Sequence, residues 1–303
     1  MSAITFEHVT KRYGDVVALD DVSVSVQPGR ITAFLGANGS GKTTSMRILL
    51  GLSEPTAGRA LIGDAAYAEL DHPLQSVGAV LDPGFHPRRS ARNHLRVAAA
   101  QASVPASRGE ELLELVGLAE AARRRVGGYS LGMRQRLALA SALIGAPRVL
   151  VLDEPFNGLD PEGIKTMREV LRSFADGGGT VFLSSHLLAE VARSADDAVI
   201  IDHGRVVTVG PVSELLSATS GALLVTSSDA TILESALAGQ GGLVRRTAVD
   251  VLAVTGLTRD EVARTALRLE AVITDMRSET TDLEDLFHTL TQPQEAASER
   301  SSS

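Results

Sequence analysis

The stretch Gly36-Ala37-Asn38-Gly39-Ser40-Gly41-Lys42-Thr43-Thr44 constrains this chain more than any other. It follows the pattern of a glycine, four residues and then Gly-Lys-Ser/Thr, which cradles phosphate. Its flanks suit that pattern. Arg30 to Leu35 is a short apolar run that reads as a buried strand. Thr44 to Gly51 places apolar residues at helical spacing and stops on a glycine. Strand, glycine loop and helix are the context a phosphate site requires.

The residue types explain the chemistry. Glycine lets a backbone curl tightly and approach a ligand without a Cβ in the way. The freed N–H groups at a helix N-terminus, with the helix dipole, then favour an anion. On this reading Gly36, Asn38, Gly39, Ser40, Gly41 and Thr44 belong to the cradle. Lys42 reaches the β- and γ-phosphates of a triphosphate, and the Thr43 hydroxyl ligates Mg²⁺.

A second constellation completes the same site. Val149-Leu150-Val151-Leu152-Asp153-Glu154-Pro155 is an apolar strand ending in two carboxylates. Side chains alternate along a strand, so the two should face different ways. Asp153 is assigned to the metal and Glu154 to an attacking water, as general base.

Composition bounds what surrounds this site. The 303 residues suffice for one large or two modest domains. Hydrophobic content of 44% marks a globular chain. No apolar stretch approaches the ~20 residues of a membrane span, and no basic-then-apolar leader is visible, so a cytosolic protein is expected. The absence of cysteine excludes disulfides, thiolate zinc sites and cysteine nucleophiles. A net charge of −8 argues against a nucleic-acid partner. From Ser220 onward 13 acidic residues face 7 basic ones, so most of the excess acid sits in the last third.

Residues 1 to about 215 alternate short apolar runs with helical patterns, which predicts an α/β core. Strands are expected at Ile4 to Phe6, Ser23 to Val26, Ile31 to Leu35, Gly78 to Leu81 and Val149 to Leu152. Others are expected at Val181 to Ser184, Ala198 to Asp202 and Arg205 to Gly210. Asn93 to Ile144 reads as mostly helical, an insertion of about 85–145 inside the core. Ser217 to Gly221 reads as a linker. A small α+β domain should follow over 221–291, ending in a helix from Asp282 to Leu290. The polar tail 292–303 is expected to be disordered.

Further motifs then carry a resemblance. About residues 3 to 215, within an expected ATPase domain of 1–216, resemble the ATP-binding subunit of an ABC transporter, whose fold is an α/β P-loop NTPase core with a helical insertion. Besides the phosphate loop and Asp153-Glu154, Tyr13 stands where the family places the aromatic that stacks on adenine. Tyr129-Ser130-Leu131-Gly132-Met133-Arg134-Gln135-Arg136 stands at the family signature, and Asn157-Gly158-Leu159-Asp160 at the loop after the catalytic carboxylate. Ser184-Ser185-His186 supplies the switch histidine, His186, and Asp82 occupies the place of the loop glutamine, a candidate metal ligand.

The resemblance implies ATP and Mg²⁺ as cofactors and a head-to-tail dimer, with a second copy of this chain as the expected partner. In that dimer Ser130 and Gly132 of one subunit close on ATP held by the other. Asp160 is carried over as a nucleotide-site residue. A separate integral-membrane permease is implied, with docking around Pro83 to Leu95, and with it a location on the inner face of the cell membrane. Ser130 could equally be a helix N-cap, or do both.

Two departures stand out. The family signature usually reads Leu-Ser-Gly-Gly-Gln, and here Leu131 and Met133 replace a glycine and the glutamine. Asp82 replaces the glutamine and would bring a negative charge to the γ-phosphate, which predicts slower hydrolysis. The run Val77 to Pro83, followed by Ser90 to Leu95, is similar to the daunorubicin- and bacitracin-resistance exporters. A soluble ABC ATPase without a permease is the alternative. The translation type carries two cassettes per chain and the repair type a long coiled coil, and this sequence has neither.

Overall fold

The computed structural model describes residues 3–82, 84–219 and 222–278. The chain divides after Val212 into two compact units. The expected helix from Asp282 to Leu290 and the tail 292–303 lie outside the described residues.

The first unit holds two sheets. A six-stranded sheet has the order β5-β6-β7-β3-β8-β9. Its strands are β3 (Ile31–Leu35), β5 (Val77–Val80), β6 (Val149–Leu152), β7 (Thr180–Ser185), β8 (Asp197–Asp202) and β9 (Arg205–Pro211). All neighbours are parallel except β9, which returns antiparallel to β8. Every residue of β3, β6 and β7 is buried, as expected of parallel strands covered on both faces.

A three-stranded antiparallel sheet has the order β2-β1-β4, from β1 (Ile4–Tyr13), β2 (Val16–Val26) and β4 (Ala57–Ile62). Its buried residues Ile4, Phe6, Val9, Val22, Val24 and Val26 join one core with Phe34 of β3 and Phe182 of β7. The Phe182 ring lies 5.4 Å from Phe34 and 6.0 Å from Phe6, within the range where tilted aromatic pairs attract. This core holds the strand ends that carry the site.

Between β5 and β6 come the helices Ala91–Gln101, Ser107–Leu115 and Leu131–Ala142. Ser90 caps the first, its hydroxyl accepting from Asn93 N at 3.3 Å, so the helix begins two residues before the expected Asn93. The second helix stops at Gly117, which sits at φ 67, a conformation glycine adopts without a Cβ penalty.

The helix Val212–Thr219 occupies most of the segment whose composition suggested a linker. The second unit then runs β10 (Leu223–Ser227), helix Ala230–Ala238, β11 (Leu243–Ala248), β12 (Val251–Thr255), helix Arg259–Arg268 and β13 (Ile273–Ser278). Its sheet is antiparallel throughout, in the order β11-β12-β10-β13. Val225, Leu233, Leu237, Leu252, Val254 and Val262 form its own fully buried core. Thr258 and Glu261 cap each other reciprocally at the start of Arg259–Arg268. The amide and hydroxyl of Thr258 hold the Glu261 carboxyl below its usual pKa.

Candidate nucleotide site

The helix Lys42–Leu49 follows β3 after a loop that only glycine can trace. Gly39 has φ 84 and Gly41 φ 112. A Cβ on Gly36 would sit 2.5 Å from the Ile201 carbonyl oxygen, so a side chain there would displace β8 or the loop. The turn aims the start of the helix into a cleft lined by Asn38, Gly39, Gly41, Lys42, Thr43 and Glu154, among others.

Lys42 is buried, and its ammonium donates to the Gly36 carbonyl at 2.6 Å and to the Ala37 carbonyl at 3.1 Å. Glu154 Oε1 lies 3.7 Å from the same nitrogen. Burial lowers the Lys42 pKa, and the nearby carboxylates of Glu154 and Asp153 oppose that shift. A cation held out of water among backbone carbonyls is poised for a stronger anionic partner.

The two carboxylates at the end of β6 face apart, but not for the reason strand alternation suggested. The strand ends at Leu152, and Glu154 takes a left-handed φ of 49. That turn, costly for a residue with a Cβ, sends the two side chains to different partners. Asp153 Oδ2 accepts from Thr43 Oγ1 at 2.7 Å, and its other oxygen accepts from the Ser184 hydroxyl. Glu154 Oε2 meets His186 Nδ1 at 2.9 Å. Ser184, fully buried at the end of β7, also accepts from Glu154 N at 2.9 Å. Ser184 therefore ties the Asp153 carboxylate to the Glu154 backbone, a role the sequence reading did not assign. The available signal was a small hydroxyl residue closing an otherwise apolar strand.

The remaining candidates lie farther out. Tyr13 is half-exposed at the end of β1, with the Lys11 ammonium 4.8 Å above its ring and its hydroxyl 3.4 Å from Ser53 Oγ. Ser130 caps the helix Leu131–Ala142, its hydroxyl accepting from Met133 N at 3.2 Å. A Cβ on Gly132 would stand 3.0 Å from the Gly158 carbonyl, and one on Gly158 would strike Leu131 at 2.2 Å. The signature segment is thus pressed against the Asn157–Asp160 loop of its own chain. Among the described residues, neither Ser130 nor Gly132 hydrogen-bonds to the phosphate loop. Asp160 is occupied as the N-cap of the helix Pro161–Asp176, accepting from Gly163 N at 2.9 Å. Asp82 is exposed just past β5, and its carboxylate forms no hydrogen bond or ion pair among the described residues.

A mostly parallel sheet with a glycine loop after β3, and a carboxylate pair at the end of β6 two strands over, define a P-loop nucleoside-triphosphate-binding protein. The comparisons narrow the class. A family profile described as ABC transporter matches residues 19–157. The bacitracin transport ATP-binding protein BcrA of Bacillus licheniformis is 40% identical over 211 residues, covering 68% of this chain and 69% of that protein. The daunorubicin resistance ATP-binding protein DrrA3 of Streptomyces coeruleorubidus is 38% identical over 280 residues, covering 90% of this chain and 84% of that protein. A solved structure titled as the ATP-binding subunit of an ABC transporter aligns with TM-score 0.65 and 27% identity, over 72% of this chain and 93% of that one. The chain belongs to the ATP-binding subunits of ABC transporters, and it binds and hydrolyses ATP. Among the described residues no helix is long and apolar enough to cross a membrane.

Proposed function

We propose that this chain drives export of a small antibiotic-like molecule through a separate membrane permease, by closing on a second copy of itself around ATP. The observation that carries the reading is the joined cluster Thr43–Asp153–Ser184–Glu154–His186, which links the phosphate loop to a poised carboxylate. The likeness to DrrA3 covers 90% of this chain and so extends beyond the first unit, which supports an antibiotic-type cargo.

In this reading Lys42 leaves the Gly36 and Ala37 carbonyls for the β- and γ-phosphates. The N–H groups of Gly39 to Thr44 hold the phosphate oxygens. Glu154 accepts the proton of the attacking water, and His186 orients Glu154 and the γ-phosphate. Tyr13 stacks on adenine. Ser130 and Gly132 meet the γ-phosphate held by the opposite copy, with the helix Leu131–Ala142 aimed at it. Asp160 then acts from beneath, by fixing the loop after Glu154.

Thr43, Asp153 and Ser184 form an all-oxygen donor set, which fits a hard cation such as Mg²⁺. Among the described residues no three His, Asp or Glu side chains form a cage, so phosphate and water would complete its shell. Bound there, Mg²⁺ would offset charge on the β- and γ-phosphates. Asp82 could join this set only by turning inward from solvent.

Light scattering of the Glu154→Gln variant, with and without Mg-ATP, tests the proposal. A dimer that forms only with ATP supports it. A monomer at all ATP concentrations, together with wild-type ATPase rates in the same variant, would overturn it.

A further inference from the structure

The charge of this chain is sharply divided. Residues 85–145 contain ten arginines and four glutamates, a net of +6 in a chain of net −8, so the remaining residues carry −14. No lysine or aspartate falls in that segment. The arginines are not dispersed over the insertion. The backbone of Pro87 to Arg92 runs beside that of Ala122 to Gly127. Val126 N donates to Arg89 O, Gly127 N to Pro87 O and Arg92 N to Ala122 O, each at 2.9 Å, and Ser90 bridges to Arg125. This brings Arg88 and Arg89 alongside Arg123 and Arg125. Arg96, on the helix Ala91–Gln101, lines one groove with Arg89, which precedes that helix, and with the exposed Val97.

Other arginines of the insertion have internal work. Arg92 pairs with Glu110 at 2.7 Å, Arg108 with Glu111 at 3.1 Å, and Arg136 donates to the Val116 carbonyl at 3.1 Å. Arg124 lies over the Tyr129 ring at 5.9 Å. Arg88, Arg89, Arg96, Arg123 and Arg125 form no hydrogen bond or ion pair through their side chains among the described residues. Four of the five are exposed and Arg89 is partly so. Five guanidinium groups left to solvent in one region make that surface locally positive, a field that favours an external anion.

We infer that this arginine belt is a contact surface for anionic phospholipid headgroups, which orients the subunit on the membrane. The inference rests on the reading above as a peripheral transporter subunit; Arg88 and Arg89 fall within the segment Pro83 to Leu95 where the permease is expected, so Arg96, Arg123 and Arg125 carry the lipid contact beside it. The belt is drawn from two chain segments and spread over an open surface, which suits a diffuse array of phosphates better than one bound peptide. Guanidinium groups match phosphate oxygens in a planar fork. The acidic remainder of the chain is repelled by an anionic surface, so the belt is the favoured point of approach.

The test is co-sedimentation of the full chain with phosphatidylcholine vesicles, with and without phosphatidylglycerol. Binding is expected only with phosphatidylglycerol and should fade at high salt. Each arginine near such a surface contributes about a fivefold gain in binding, so Arg96→Gln/Arg123→Gln/Arg125→Gln should bind about a hundredfold more weakly. Arg245→Gln/Arg264→Gln/Arg277→Gln, which removes equal charge from the second unit, should bind like wild type. Equal binding to neutral vesicles, or equal losses in both triple variants, overturns the inference. So does wild-type protein that ignores vesicles but loses a permease in detergent through the belt substitutions, because the belt then reads an acidic protein surface. ATP hydrolysis is read in the same samples. Vesicle binding without hydrolysis counts against the transporter reading and leaves the belt standing.

Discussion

Thr43 Oγ1 donates to Asp153 Oδ2 at 2.7 Å, joining two residues 110 positions apart. This bond fixes the spacing between the phosphate loop and the end of β6 before any nucleotide arrives. Thr43→Val keeps the shape and removes the hydroxyl. It should lower ATPase turnover by at least about tenfold, since a hydrogen bond to a charged group is worth about 1.5–3 kcal/mol. The loss should be partly recovered by raising Mg²⁺, as read from titrations of turnover against Mg²⁺. An unchanged Mg²⁺ requirement would place the metal elsewhere.

The Glu154–His186 contact separates two catalytic roles. Glu154→Gln should cut turnover by about 10²–10⁴-fold, the usual worth of a general base, while ATP binding by filter assay stays intact. His186→Ala should also slow turnover, but the double variant should be scarcely slower than Glu154→Gln alone. Residues that act as a unit are non-additive. Additive losses would mean that His186 acts without Glu154.

Much of this was legible beforehand, and what was missed has local causes. The strands β3 and β6 match their expected limits, because buried parallel strands read as unbroken apolar runs. The phosphate loop and the carboxylate pair were visible because glycine and charge interrupt those runs at fixed spacing. The strand β4 was not anticipated. Its sequence Ala57-Gly58-Arg59-Ala60-Leu61-Ile62 has little β-propensity, and Gly58 is there because a Cβ would lie 2.4 Å from the Glu7 carbonyl. The full lengths of β1 and β2 were hidden by irregular register around His8 and Asp21, both at positive φ. Ser184 went unassigned because its role depends on the Asp153 carboxylate and the Glu154 amide, about thirty positions away in sequence, and no local pattern reports that.

Acidification should weaken the first unit through His94. Burial, helped by the Arg89 charge, lowers the His94 pKa from its ordinary 6.5, and its Nε2 lies 3.0 Å from Ser141 Oγ. The folded form therefore takes up its proton later than the unfolded chain does. Stability is complete above 6.5 and falls as pH drops through the window between that value and the lower folded one. Urea melts of wild type and His94→Gln between about pH 7 and about pH 5 should converge as the pH falls. A constant gap across that range would show that His94 does not titrate with unfolding.

Gly78 tests the seam between the sheet and the helical insertion. A Cβ there would lie 2.2 Å from the Ala142 carbonyl, at the C-terminal end of the signature helix. Gly78→Ala should destabilise the chain by about 1–3 kcal/mol, read as a lower Tm, by forcing the helix Leu131–Ala142 off β5. If ATPase activity falls more than the folded fraction does at the assay temperature, the position of that helix controls Ser130. An unchanged Tm would mean that the seam yields without cost.

Asp82 bears on how fast this motor runs. It follows β5, and the Val80 carbonyl two residues earlier accepts from Asp153 N at 2.7 Å, so the backbone beside Asp82 is tied to the metal-site strand. Its carboxylate is exposed and unpaired among the described residues. Brought inward by nucleotide, it would set a negative charge against the γ-phosphate, at an unfavourable energy of about 4 kcal/mol for two unit charges at ~4 Å in a partly wet site. Asp82→Gln adds one methylene, keeps a side-chain oxygen as ligand and removes that charge. It should raise turnover several-fold and lessen the dependence of rate on salt, because screening no longer has a repulsion to relieve. Steady-state ATPase assays across a salt series read both effects. A slower variant with unchanged salt dependence would mean that the carboxylate assists hydrolysis as a ligand, and that aspartate replaces the family glutamine without a penalty in rate.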